Sequence, residues 1–183
     1  MRREVIIAGI VGLALGSGMT ALALQASGRL APAAAPALLL TLGQTLEAEH
    51  ARVDLLVARG EVGAAIAALE GLRATPWPSR ADGGDAAVVL RHDVYGRLVR
   101  LRLDHPEVDP VGPAELLARC EEGLGADAGA VAGNAFTARL HALRGEVLAG
   151  MGRDDEALAA YERALEINRE LLQQALRAMD GAR

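Results

Sequence analysis

The stretch "MGRDDEALAAYERALEI", Met151 to Ile167, decides the fold. Ala157, Ala160 and Ala164 recur at three- and four-residue intervals, so a helix carries them on one stripe with a lone Tyr161 among them. Gly152 marks a turn before that helix, and Asp154, Asp155 and Glu156 sit where its dipole favours negative charge. The preceding "ARLHALRGEVLAG" supplies Gly145 and Leu148 at helical spacing. Gly145 and Ala157 let two antiparallel helices approach closely, and Tyr161 fills the space the alanines leave.

Composition extends this reading to the whole chain. Of 183 residues, 51% are hydrophobic and only 2% aromatic, so the packing material is Ala, Leu and Val. Ala and Leu favour helix, while the aromatic and Ile side chains that strands favour are scarce, so the expected class is all-α. A net charge of −5 and an isoelectric point near 5.4 leave no global basic field to gather nucleic acid. Every basic residue is arginine, which together with abundant Ala and Gly suggests a GC-rich bacterial genome. Cys120 is the single cysteine, which excludes an internal disulfide and a Cys-pair zinc site. It reads as a small buried residue on a helix.

The 31 residues "ARLHALRGEVLAGMGRDDEALAAYERALEIN" resemble a tetratricopeptide repeat, a helix–turn–helix of about 34 residues with small and large residues at fixed offsets. His141 stands where that family often has Trp, and Asn168 near where it often has Pro. Without the proline, "EINRELLQQALRAM" can continue as helix, with Leu172, Leu176 and Met179 expected to cap the stack. An earlier echo, "ARGEVGAAIAALEGLRATPWP", places Gly60, Ala65 and Leu69 where Gly152, Ala157 and Tyr161 stand, displaced by 92 residues. Leu42, Leu46, Val53 and Leu56 give the helix before it an apolar face. Between the echoes lies a more divergent pair. Its first helix, with Leu90, Val94, Leu98 and Leu101 inward, stops near Pro106, and its second starts at Pro113. The expectation is a small stack of three TPR-like hairpins over 38–183.

Ahead of that domain, no charge occurs between Glu4 and Arg29. A helix of about 24 residues spans about 36 Å, enough to cross a hydrocarbon core of about 30 Å. Arg2 and Arg3 precede the run, so the positive-inside rule expects a cytoplasmic N-terminus, a single span within 1–27, and an exported remainder. The competing reading is a cleaved signal, with Ala21-Leu22-Ala23 or Leu24-Gln25-Ala26 as its small-residue site. Ala8, Gly12, Gly16 and Thr20 recur every four residues, a row on which a second transmembrane helix could dock. "SGRLAPAAAPA", with Pro32 and Pro36, reads as a linker over 28–37.

A search for chemistry finds none. There is no nucleophile elbow, no H-E-x-x-H, no P-loop and no dinucleotide fingerprint. The four histidines lack the i, i+4 spacing that lets two share a metal on a helix. The expectation is no enzyme, no metal and no cofactor. Binding surfaces are better supported. The tetratricopeptide resemblance implies that the first helix of each hairpin lines a groove. That assigns Glu47, His50 and Asp54 to the groove in the first hairpin, and Arg139 and Glu146 in the last. Arg91, His92, Tyr95 and Arg100 are the nearest equivalents in the middle. Trp77, between prolines in "TPWPS", is either a partner anchor or a lid folded back on the first hairpin. The leading expectation is a single-pass protein of the bacterial inner membrane whose periplasmic domain is an adaptor for envelope proteins. The alternative is an accessory structural subunit of a large respiratory or photosynthetic membrane complex, docked through its transmembrane helix. A secreted soluble repeat protein is the third reading.

Overall fold

A computed structural model describes residues 34–126, 129 and 131–181. Among these, all regular structure is helical: α1 (Ala34–Ala58), α2 (Val62–Ala74), α3 (Arg80–Asp104), α4 (Pro113–Leu124), α5 (Ala135–Gly150) and α6 (Asp154–Gly181). None is long and apolar enough to cross a membrane. The expected span, with Ala8, Gly12, Gly16 and Thr20, lies outside the described residues. The expected linker ended at Ala37, but α1 begins at Ala34, because Pro36 falls in its first turn, where a missing N–H costs no helical hydrogen bond.

Consecutive helices pair as α1/α2, α3/α4 and α5/α6, and the pairs join through contacts of α3 with α1, α2 and α5, and of α4 with α5. The 92-residue echo is reproduced bond for bond. Gly60 and Gly152 both take positive φ (76° and 71°), a conformation that only glycine adopts freely. Around them, Glu61 N–H donates to Leu56 O at 2.9 Å and Arg153 N–H to Leu148 O at 3.0 Å, so each helix end is closed by the same reversal. Ala65 N–H then donates to Glu61 O, as Ala157 N–H does to Arg153 O, and both alanines are buried.

The core divides around α3. Val94 and Leu98 pack with Leu46, Val53, Ile66 and Leu69 of the first hairpin. Tyr95 and Val99 pack with Leu117, Cys120, Leu140 and Leu148. A helix shared by two hairpins must be buried on nearly every side, and α3 is. Its chain breaks direction at Gly84 (φ 61°), and Val88 and Val89 then close over Val131 and Phe136. Cys120 is wholly buried, and that burial pushes its thiol up to about 12, so it is a packing residue.

At two close approaches between helices, a glycine faces a tyrosine. A Cβ at Gly123 of α4 would stand 2.7 Å from Cβ and Cγ of Tyr95 and 3.0 Å from Leu140 Cδ2. One at Gly145 of α5 would stand 2.9–3.0 Å from the Tyr161 ring. The alanine stripe of α6 lies against α5 as its spacing implied, with Ala157, Ala160 and Ala164 all buried. Beyond Leu171 the helix goes on with no other helix of the described residues against it. Leu172, Leu176 and Met179 were expected to cap the stack, but they are exposed, because no further helix of the described chain reaches that side.

Candidate functional site

The first helices of the three hairpins, α1, α3 and α5, share a row of polar side chains that runs across them. Glu47, His50 and Asp54 project from one side of α1 by helical spacing. Arg97 of α3 reaches Asp54 at 3.2 Å and its own-helix Asp93 at 3.5 Å. His50 Nδ1 stands 3.5 Å from Asp93 Oδ2. Farther along, Arg100 pairs with Asp104 at 3.1 Å and crosses to α5 to hold both carboxylate oxygens of Glu146. Arg139 of α5 lies beside these groups, with Gly96 opposite its stem: a Cβ there would sit 3.9 Å from Arg139 Cδ.

The electrostatics of this row are uneven. Burial first, and then Arg97 and Arg139, hold the His50 imidazole down to about 4, so it is neutral at pH 7 and its approach to Asp93 is no charge pair. Burial raises Asp93, against which Arg97 and Arg139 pull it back down. Arg97 and Arg100 each have two acidic partners. Among the described residues Arg139 has none within ion-pair distance. Desolvation lowers its guanidinium; Asp93 and Asp104 act against that, while Arg97 and Arg100 add to it. It is a cation near two carboxylates but directly paired with neither, on an exposed side of its helix.

The expected groove residues therefore divide. His50, Asp54, Arg139 and Glu146 meet in this row, Glu47 lies on its α1 edge, and His50 is a buried member rather than a surface one. Arg91 and Tyr95 do not join it. Tyr95 is buried on the opposite side of α3 and donates to Glu122 Oε1 of α4 at 2.8 Å; burial and that carboxylate raise its hydroxyl to about 12. Arg91 Nε donates to Gly123 O at 3.3 Å. The row takes Asp93 and Arg97 in their place. Trp77 is half-buried against the first hairpin's core, and its Nε1 finds no acceptor among the described residues.

Two further polar clusters are structural in character. On the far side of α3, the buried Arg102 joins Glu70 of α2 at 2.8 Å to Asp109 at 2.7 Å. Arg73 bonds Glu122 at 3.0 Å beside it. This ties the first hairpin to the second, the kind of buried charge cluster that is costly to break from one side. The other cluster centres on His92, which has no exposed surface. Leu124 O can only accept, so His92 Nε2 carries the proton and donates at 3.4 Å, while Nδ1 accepts from the Thr137 hydroxyl at 2.7 Å. Thr137 in turn accepts from Asn134 Nδ2, and the Asn134 carbonyl oxygen caps α5 through the backbone N–H of Phe136 and Thr137. Burial holds this imidazole down to about 4 as well.

Among the described residues no three His, Cys, Asp or Glu side chains gather as metal ligands. A shallow groove of about 540 Å³ lies between α1 and α2, lined by Thr45, Glu49, Ala64, Ala67 and Gly71 among others, and takes no part in the row. No family model, curated protein or solved structure matches this chain.

Proposed function

We propose that this protein is a membrane-anchored, tetratricopeptide-like adaptor that holds an acidic segment of a partner protein against α1, α3 and α5. The observation that carries the reading is Arg139, a cation with no direct ion pair among the described residues, in a row where Arg97 and Arg100 each have two. A partner carboxylate placed there would relieve the repulsion from Arg97 and Arg100 and form a charge-assisted hydrogen bond. The matching turns at Gly60 and Gly152 support the repeat character of the domain. The uncharged run before Arg29 supports an inner-membrane anchor that leaves the N-terminus in the cytoplasm and the helices in the periplasm. Partner binding rather than catalysis is the role this supports.

The test is recovery of co-purifying proteins with the full-length chain in mild detergent. Arg139→Glu replaces an attraction with a repulsion. It should cut recovery of the partner at least tenfold, the equivalent of about 1.4 kcal/mol, while Gly12→Leu/Gly16→Leu leaves it intact. The reverse pattern would transfer the function to the transmembrane helix and favour the accessory-subunit reading. Recovery of the chain alone would sink both.

A further inference from the structure

The second half of α6 and the outer side of its first half form an apolar stripe that nothing in the described chain covers. Leu158, Leu165, Leu172, Leu176 and Met179 are each 51–61% exposed by residue (60, 51, 61, 51 and 60%), and Tyr161 is 36% exposed. With 3.6 residues per turn, these six fall within a narrow sector, roughly 110° round the helix from the buried Ala157, Ala160, Ala164 and Ile167. The stripe therefore lies to one side of the α5 contact, with one face of the Tyr161 ring resting on Gly145 at its near edge.

Its spacing has a centre of symmetry. Steps of three and four residues lead from Leu158 through Tyr161 to Leu165; steps of four and three lead from Leu172 through Leu176 to Met179. A half-turn about the point between Asn168 and Arg169 carries Leu158 onto Met179, Tyr161 onto Leu176 and Leu165 onto Leu172. A two-fold interface demands that kind of self-complementary patch. A parallel pair would instead place the small Ala175 in the seam and leave Leu176 outside it.

We propose that the stripe is a dimer interface, in which α6 packs antiparallel on α6 of a second copy. The exposed fractions amount to on the order of 600 Å² of largely apolar surface per copy, so a pair buries roughly 1,200 Å², the lower bound for a stable interface. The polar residues at the centre suit it too. Asn168 lies about 0.75 Å along the helix from the two-fold axis, so the two amides flank it side by side. Arg169, which has no ion pair among the described residues, comes level with Glu166 of the opposite helix, itself paired with Arg163, to within about 3 Å along the axis. The dimer does not depend on the adaptor reading, since α6 carries none of the polar row.

The test uses the full-length chain in mild detergent. Sedimentation should find a dimer, and Leu165→Glu/Leu172→Glu should raise its dissociation constant at least 100-fold with helix content unchanged. On mild oxidation, Asn168→Cys should cross-link to itself. Leu158→Cys should not, but should cross-link to Met179→Cys when the two variants are mixed. The buried Cys120 adds little background. A monomer, a dimer that survives the double glutamate variant, or self-linking of Leu158→Cys would each overturn the proposal.

Discussion

Gly123→Ala should lower the stability of the helical domain by about 2 kcal/mol, within the usual range for overpacking a filled core. The new methyl would meet Tyr95 Cβ at 2.7 Å, and that carbon is tied to the α3 backbone and cannot swing aside. Either α4 moves off α3, exposing Leu117 and Cys120, or Tyr95 is displaced and its bond to Glu122 is lost. Alanine's helix preference recovers up to about 1 kcal/mol, which the clash outweighs. Gly145→Ala is the internal control. Its clash is with the far part of the Tyr161 ring, which is partly open to water and free to tilt, so the net change should stay within about 1 kcal/mol. Urea unfolding of the two variants distinguishes the cases; equal midpoints would mean that the α3–α4 contact is not the tighter one.

Acidification should destabilise the domain well above the pH at which its carboxylates protonate. His50 and His92 are both held near 4 when folded, against 6.5 for a free imidazole. The unfolded chain therefore takes up the protons first, and the stability that these groups contribute is complete above about pH 6.5 and lost as pH falls towards 4. By pH 5 the linkage relation gives a loss of about 2 kcal/mol per histidine, or about 4 kcal/mol together. The lowered His141 acts in the same direction. Asp93, raised by burial, works the opposite way and regains part of the loss as its carboxyl protonates. The urea midpoint should fall steeply between pH 7.5 and 5.0, and His50→Leu should remove about half of that dependence. A midpoint flat across this range would show that neither imidazole is held neutral.

Much of this architecture was legible in the sequence because small residues at helical intervals leave few ways to pack. The Gly152 turn and its echo at Gly60 identified two hairpins, and Pro113 fixed the start of α4. The register of α3 was not legible. A helix that touches both neighbouring hairpins has no continuous polar side, so Arg91 and Tyr95 looked as suitable for the row as Asp93 and Arg97, which occupy it. The His92–Thr137–Asn134 chain was hidden for a different reason: it depends on where the segment before α5 returns to α3, and no local pattern encodes that return. The C-terminal stripe was visible as a pattern, but whether a neighbour covered it was not. Arg139 was placed in the row by family resemblance, and its lack of a direct ion pair among the described residues appeared only once the partners of Arg97 and Arg100 were known.

The central physical claim is that glycine sets how closely these helices lie and that tyrosine fills the gap. The chain has only two tyrosines, and each rests on a glycine of the adjoining helix. Nuclear Overhauser contacts from the tyrosine side chains of the full-length protein test this directly. Strong contacts from Gly123 Hα to Tyr95 and from Gly145 Hα to Tyr161 are predicted. Their absence, with the helices otherwise intact, would contradict the packing on which the row, the buried histidines and the exposed stripe all depend.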